Sequence, residues 1–75
     1  MANLHNAAIE VLTQVVGPVP AELCLYSGSV ELGKSSDELT EDDYDAIAAR
    51  IRSDLSAFAS QELIEFALQQ IRVRL

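Results

Sequence analysis

The chain has no tryptophan, a single cysteine (Cys24) and a single histidine (His5). One cysteine cannot form a disulfide within the chain. One cysteine and one histidine cannot build a structural zinc site, which takes four soft ligands. Aromatic residues are scarce at 5%, so any core must be built from Leu, Ile, Val and Ala. Basic residues are few, at five against twelve acids, giving a net charge of −7. That balance argues against binding a nucleic-acid backbone, which needs clustered Lys and Arg. No apolar run approaches the ~18 residues of a membrane span. The N-terminus shows no basic segment leading into an apolar stretch, so no secretory signal is read there. With its lone thiol, the chain is expected in a reducing, cytoplasmic setting.

What is present is aliphatic. Hydrophobic residues make up 49% of 75 residues, a length that permits one domain and favours help from a partner chain. The richness in Ala and Leu favours helices. Asn3 is a capping residue, and Leu4, Ala8, Val11 and Val15 follow at helical spacing, predicting a first helix over 3–16. Ala7, Ile9, Leu12 and Val16 widen its apolar surface beyond one stripe. Gly17 and Pro18 end it.

The next segment, residues 19–33, has two readings. Pro20 suits the first turn of a short helix that continues through Ala21, Glu22 and Leu23 and ends near Ser27 or Gly28. The alternative is a hairpin pairing Leu23–Tyr26 with Val30–Leu32. The helix is the reading adopted. After a polar connector, Thr40 caps a third helix with Glu41, Asp42 and Asp43 in its first turn, where negative charge meets the positive end of the helix dipole. Tyr44, Ile47, Ala48, Ile51, Leu55 and Phe58 then form its apolar face. Ser60 caps a last helix carrying Ile64, Ala67, Leu68, Ile71 and Leu75, with Leu63 and Phe66 broadening the stripe. The expected fold is all-α, a single small bundle of three to four short helices over residues 1–75.

Few motifs offer chemistry. Gly28-Ser29-Val30-Glu31-Leu32-Gly33-Lys34-Ser35 spells the phosphate-loop pattern G-x-x-x-x-G-K-[ST]. In that motif backbone N–H groups and the Lys cradle phosphates between a parallel strand and a helix. It makes a minimal nucleotide-binding protein an alternative function, resting on Gly28, Gly33, Lys34 and Ser35, but no other strand pattern supplies a sheet. The acidic run of Asp37, Glu38, Glu41, Asp42, Asp43 and Asp45 fails the oxygen spacing of a calcium loop, since position 3 from Asp37 is Leu39 and position 6 is Asp42. A solvated helix start explains it, and a second alternative is an acidic decoy for a basic protein surface. Ser53-Asp54-Leu55 reverses the Asp-Ser-Leu order that would carry a phosphopantetheine arm. His5 and Cys24 assemble no catalytic set. The chain is therefore expected to be no enzyme, with no catalytic residues, metal or cofactor.

One segment, Val15-Val16-Gly17-Pro18-Val19-Pro20-Ala21-Glu22-Leu23, resembles the I-G-P-[IV]-A-x-x-L stretch of a small helical domain. That domain is appended to bacterial signalling proteins, notably serine/threonine kinases and response regulators of cyanobacteria and myxobacteria. In it an apolar helix precedes the stretch, and an L-x-x-x-[IL] segment and a Phe-bearing helix follow. Ile47 to Ile51 and Phe58 or Phe66 match those parts, so the resemblance spans residues 9–68. The chain departs from it at Pro20, where Ala is usual, and in its long acidic connector. The resemblance implies a non-enzymatic, regulatory module that docks a signalling protein, and it assigns no residue roles. The apolar surplus of the first and last helices adds an expected self-association, a homodimer held through Ile9, Leu12 and Val16 with Leu63 and Phe66 opposite.

Overall fold

The computed structural model describes residues 3–75. They form four α-helices: α1 (Leu4–Val16), α2 (Pro18–Glu31), α3 (Tyr44–Leu55) and α4 (Gln61–Val73). Single 3-10 turns at Ser36–Glu38 and Glu41–Asp43 lie in the connector before α3. No strand occurs among the described residues, which settles the middle segment as helix rather than hairpin. No helix among them is long and apolar enough to cross a membrane.

Local chemistry places the helix ends. Asn3 accepts the Asn6 N–H on its side-chain oxygen at 2.8 Å, and Ser60 does the same for Leu63 at 3.2 Å. Each satisfies a donor that the first helical turn leaves free. Gly17 has φ 89, a conformation costly for any residue with a Cβ. Its N–H closes α1 onto the Thr13 carbonyl at 3.0 Å. With Pro18 at its first position, α2 starts at once and runs back along α1.

Four boundaries differ from the sequence reading. The helix α2 begins at Pro18, not Pro20, and passes through Ser27, Gly28 and Ser29 to Glu31. Ser29 is tolerated because its hydroxyl donates to the Tyr26 carbonyl of the preceding turn at 2.8 Å. The stop is supplied by Gly33, at φ 72. Its N–H reaches the Val30 carbonyl at 3.0 Å and the Lys34 N–H reaches Ser29 at 2.9 Å, the paired bonds of a glycine-terminated helix. At Thr40 the chain makes a 3-10 turn before α3 instead of entering the α-helix directly. At the far end, α3 stops at Leu55. Phe58 therefore leaves the predicted core face and sits 61% exposed in the turn to α4.

Each helix packs on two neighbours. α1 touches α2 and α4, and α3 touches the same two, so α2 and α4 stand at opposite corners of the bundle. The core is aliphatic, with Leu4, Leu12, Leu25, Leu39, Ile47, Ile51, Leu55, Leu68 and Ile71 fully buried. Leu39 comes from the connector and pins it to the bundle. Tyr44 ties α3 to α4 through a hydrogen bond from its hydroxyl to the Leu68 carbonyl at 3.0 Å.

A candidate docking face on α2

An ordinary surface helix turns its apolar stripe inward and its charges outward. α2 departs from this. Ala21, Cys24, Leu25, Gly28 and Ser29 face the core. Val19, Leu23, Tyr26 and Val30 lie on the other side, exposed by 63, 61, 64 and 57%. At 100° per residue these four fall within a narrow outward arc. They are spaced by four, three and four residues, the spacing of a helix–helix seam. The sequence of α2 holds no Lys or Arg, and its only acids are Glu22 and Glu31.

Phe58 extends the patch. It stands across a groove of about 380 Å³ lined by Val19, Pro20, Leu23 and Ser27 of α2, with Cys24, Asp54 and Leu55 completing the lining. The polar edge of this groove is already neutralised. Asp54 accepts from Arg50 Nε at 2.8 Å, and the same guanidinium reaches Glu31 at 2.6 Å. Burial first, and the neighbouring Asp54 carboxylate next, push the Cys24 thiol up to about 12. A thiol so protonated is a poor nucleophile at neutral pH.

Of the residues singled out from sequence, Ile9 borders the stripe, sharing a groove with Glu22 and Tyr26, and the others fall elsewhere. Leu12 is 1% exposed and belongs to the core, so it cannot form an interface. Ile9 and Val16 are half-buried and pack on that core. The broad apolar surface of α1 is thus consumed inside the monomer, because α1 is flanked by both α2 and α4. Leu63 and Phe66 are exposed on α4, by 41 and 57%, on the opposite corner from α2.

The phosphate-loop pattern is dismantled by the fold. Gly28 to Glu31 is the last turn of α2, where the motif requires a loop leaving a strand. Gly28 is buried, and a Cβ placed there would lie 2.7 Å from Ile47 Cδ1. Lys34 donates to Asp43 Oδ2 at 2.8 Å. The Ser35 N–H and hydroxyl both turn to Glu38 Oε1, at 3.0 and 2.6 Å.

The acidic residues divide by role. Glu38 closes the first 3-10 turn as just described. Asp43 closes the second, accepting the Thr40 N–H at 3.0 Å as well as Lys34. Asp37, Glu41, Asp42 and Asp45 stay exposed. The Lys34 ammonium, then the Thr40 N–H, hold the Asp43 carboxyl below the usual carboxylate range. Such a group stabilises the fold fully above its unfolded-state value, and the contribution disappears as pH falls through the lowered one. Melting temperature followed from pH 6 to pH 2 should therefore drop below about pH 4. Asp43→Asn should flatten that limb while lowering stability at pH 7 by about 1 kcal/mol, the usual worth of a cap. An unchanged acid limb in Asp43→Asn would show that the pairing does not contribute.

The chain is thus a small four-helix bundle with an apolar face turned to solvent. Comparison with models of known families, with curated proteins and with solved structures finds no match to it.

Proposed function

We propose that this chain is a non-catalytic protein–protein interaction module, regulatory in role, which self-associates through the outward face of α2 and docks a signalling partner. The observation that carries this reading is the line of four large apolar side chains, Val19, Leu23, Tyr26 and Val30, on the outermost face of a helix. Each is more than half exposed. Water is a poor solvent for such a stripe, and covering it releases about 25 cal/mol per Å² of apolar area. Clustered large side chains framed by polar ones are the usual mark of a docking surface. The resemblance of Val15–Leu23 to a segment of bacterial signalling appendages points the same way. That segment runs from the end of α1 into the first half of the stripe.

Sedimentation equilibrium tests the reading. The native chain should associate at tens to hundreds of micromolar. Leu23→Glu, which puts a charge at the middle of the stripe, should weaken that association at least about 100-fold, as charges left unpaired in an apolar contact do. Because Leu23 is exposed, the variant should keep its helical spectrum and unfold within about 0.5 kcal/mol of the native chain. A native chain that stays monomeric at several hundred micromolar would remove self-association from the reading. Equal association of Leu23→Glu and native chain would remove α2.

A further inference from the structure

We infer that the occupant of the α2 face is the α2 of a second copy, packed antiparallel about a two-fold axis midway between Leu23 and Tyr26. The inference rests on the docking reading above and adds the partner and its geometry.

Three observations lead to it. First, the four-three-four spacing reads the same in both directions. An antiparallel two-fold sets Val19 against the partner's Val30 and Leu23 against the partner's Tyr26. It closes the stripe on itself, as an isologous interface must. Second, the charges fit that arrangement and no oppositely charged peptide. With no Lys or Arg on α2, Glu31 already paired to Arg50 and Glu22 its one other acid, the face offers no cluster of charge to attract a strongly acidic or basic ligand. In the antiparallel pair Glu22 falls opposite the partner's Ser27. Glu31 falls opposite the partner's Pro18, at the positive end of that helix dipole. A parallel pair would instead bring both positive ends together and Glu31 against its own copy. Third, the area is of the right order. Five side chains about 60% exposed, counting Phe58, offer roughly 500 Å² per copy, or about 1,000 Å² over the pair, the lower bound for a specific interface.

Phe58 gains a role in this arrangement. Its groove flanks Val19 and Leu23, the N-terminal half of the stripe. The partner's Tyr26 and Val30 cross over that half, so each copy's Phe58 covers the other's C-terminal pair.

A charge swap distinguishes the geometry from the docking reading. The double variant Leu23→Lys with Tyr26→Glu places Lys against Glu twice across the proposed axis. In a parallel pair it would oppose Lys to Lys and Glu to Glu. Leu23→Lys with Tyr26→Lys repels in either case. Both positions are solvent-exposed, at 61 and 64%, and circular dichroism checks that both variants stay helical. By sedimentation in low salt, the swap variant should remain a dimer within about 30-fold of the native affinity. It should weaken as salt rises to about 0.5 M, where ion pairs are screened. The two-lysine variant should be monomeric. A native dimer with a monomeric swap variant would overturn the antiparallel two-fold alone, leaving α2 as the docking face. A two-lysine variant that still dimerises would overturn both. A native chain that is monomeric would overturn the second-copy occupant.

Discussion

Leu25→Ala should remove about 3–5 kcal/mol of stability, the range for truncating a fully buried leucine whose surroundings cannot collapse. Leu25 has no exposed surface and sits on the core side of α2, the helix packed on both α1 and α3. A chain of 75 residues has in total only about 4–11 kcal/mol to lose, at 0.05–0.15 kcal/mol per residue. The loss is therefore at least about a quarter of the whole, and the urea midpoint should fall by at least about that fraction relative to the native chain. Leu23→Ala, two positions earlier but on the solvent side, should shift the same midpoint hardly at all. Equal losses at the two positions would mean that α2 is rotated from the orientation described.

The second large effect concerns Gly28. A Cβ at this position would meet Ile47 Cδ1 at 2.7 Å, closer than carbons approach. Gly28→Ala places one methyl there, and the contacted atom is the far end of a side chain able to change rotamer. The strain is offset by the ~1 kcal/mol that Ala gains over Gly in a helix interior, so the net change should be near zero. Gly28→Val adds two further methyl groups against α3 and should cost about 2–3 kcal/mol through overpacking. Urea unfolding of the three chains should rank Gly and Ala together and Val well below. If Val were tolerated like Ala, α2 and α3 would be farther apart than the buried Gly28 implies.

This tight contact explains part of what the sequence concealed. Gly28 between two serines looks like a helix end, because Gly and Ser weaken helices taken alone. The penalty is local and modest, and close approach of Ile47 compensates for it. The glycine that does end α2 is Gly33, and nothing in composition separates the two. One sits against another helix and the other opens onto solvent at positive φ. Once the helix is taken to end near Gly28, the register linking Val19, Leu23, Tyr26 and Val30 is broken, and the stripe disappears from view. Val19 was further hidden because Pro18 reads as the stop of the first helix and Pro20 as the start of the next, although both prolines fit one first turn.

The misplacement of Leu12 has a similar origin. An apolar surface wider than one stripe shows that a helix is covered on more than one side. It does not show whether the cover comes from the same chain. For α1 it comes from α2 and α4 together. Conversely, α4 does carry exposed Leu63 and Phe66, as its broad pattern announced, while α1's own surplus is covered.

From its order of residues alone, the chain dictated helices over its first and last thirds, their caps at Asn3 and Ser60, the break at Gly17 and an aliphatic core. These depend on interactions between residues a few positions apart, where spacing and hydrogen-bonding groups decide the outcome. Which apolar faces ended inside and which were left in water was settled only when the helices packed. Burial depends on neighbours distant in sequence, and α2, apolar on both sides, has no local preference for which side to hide.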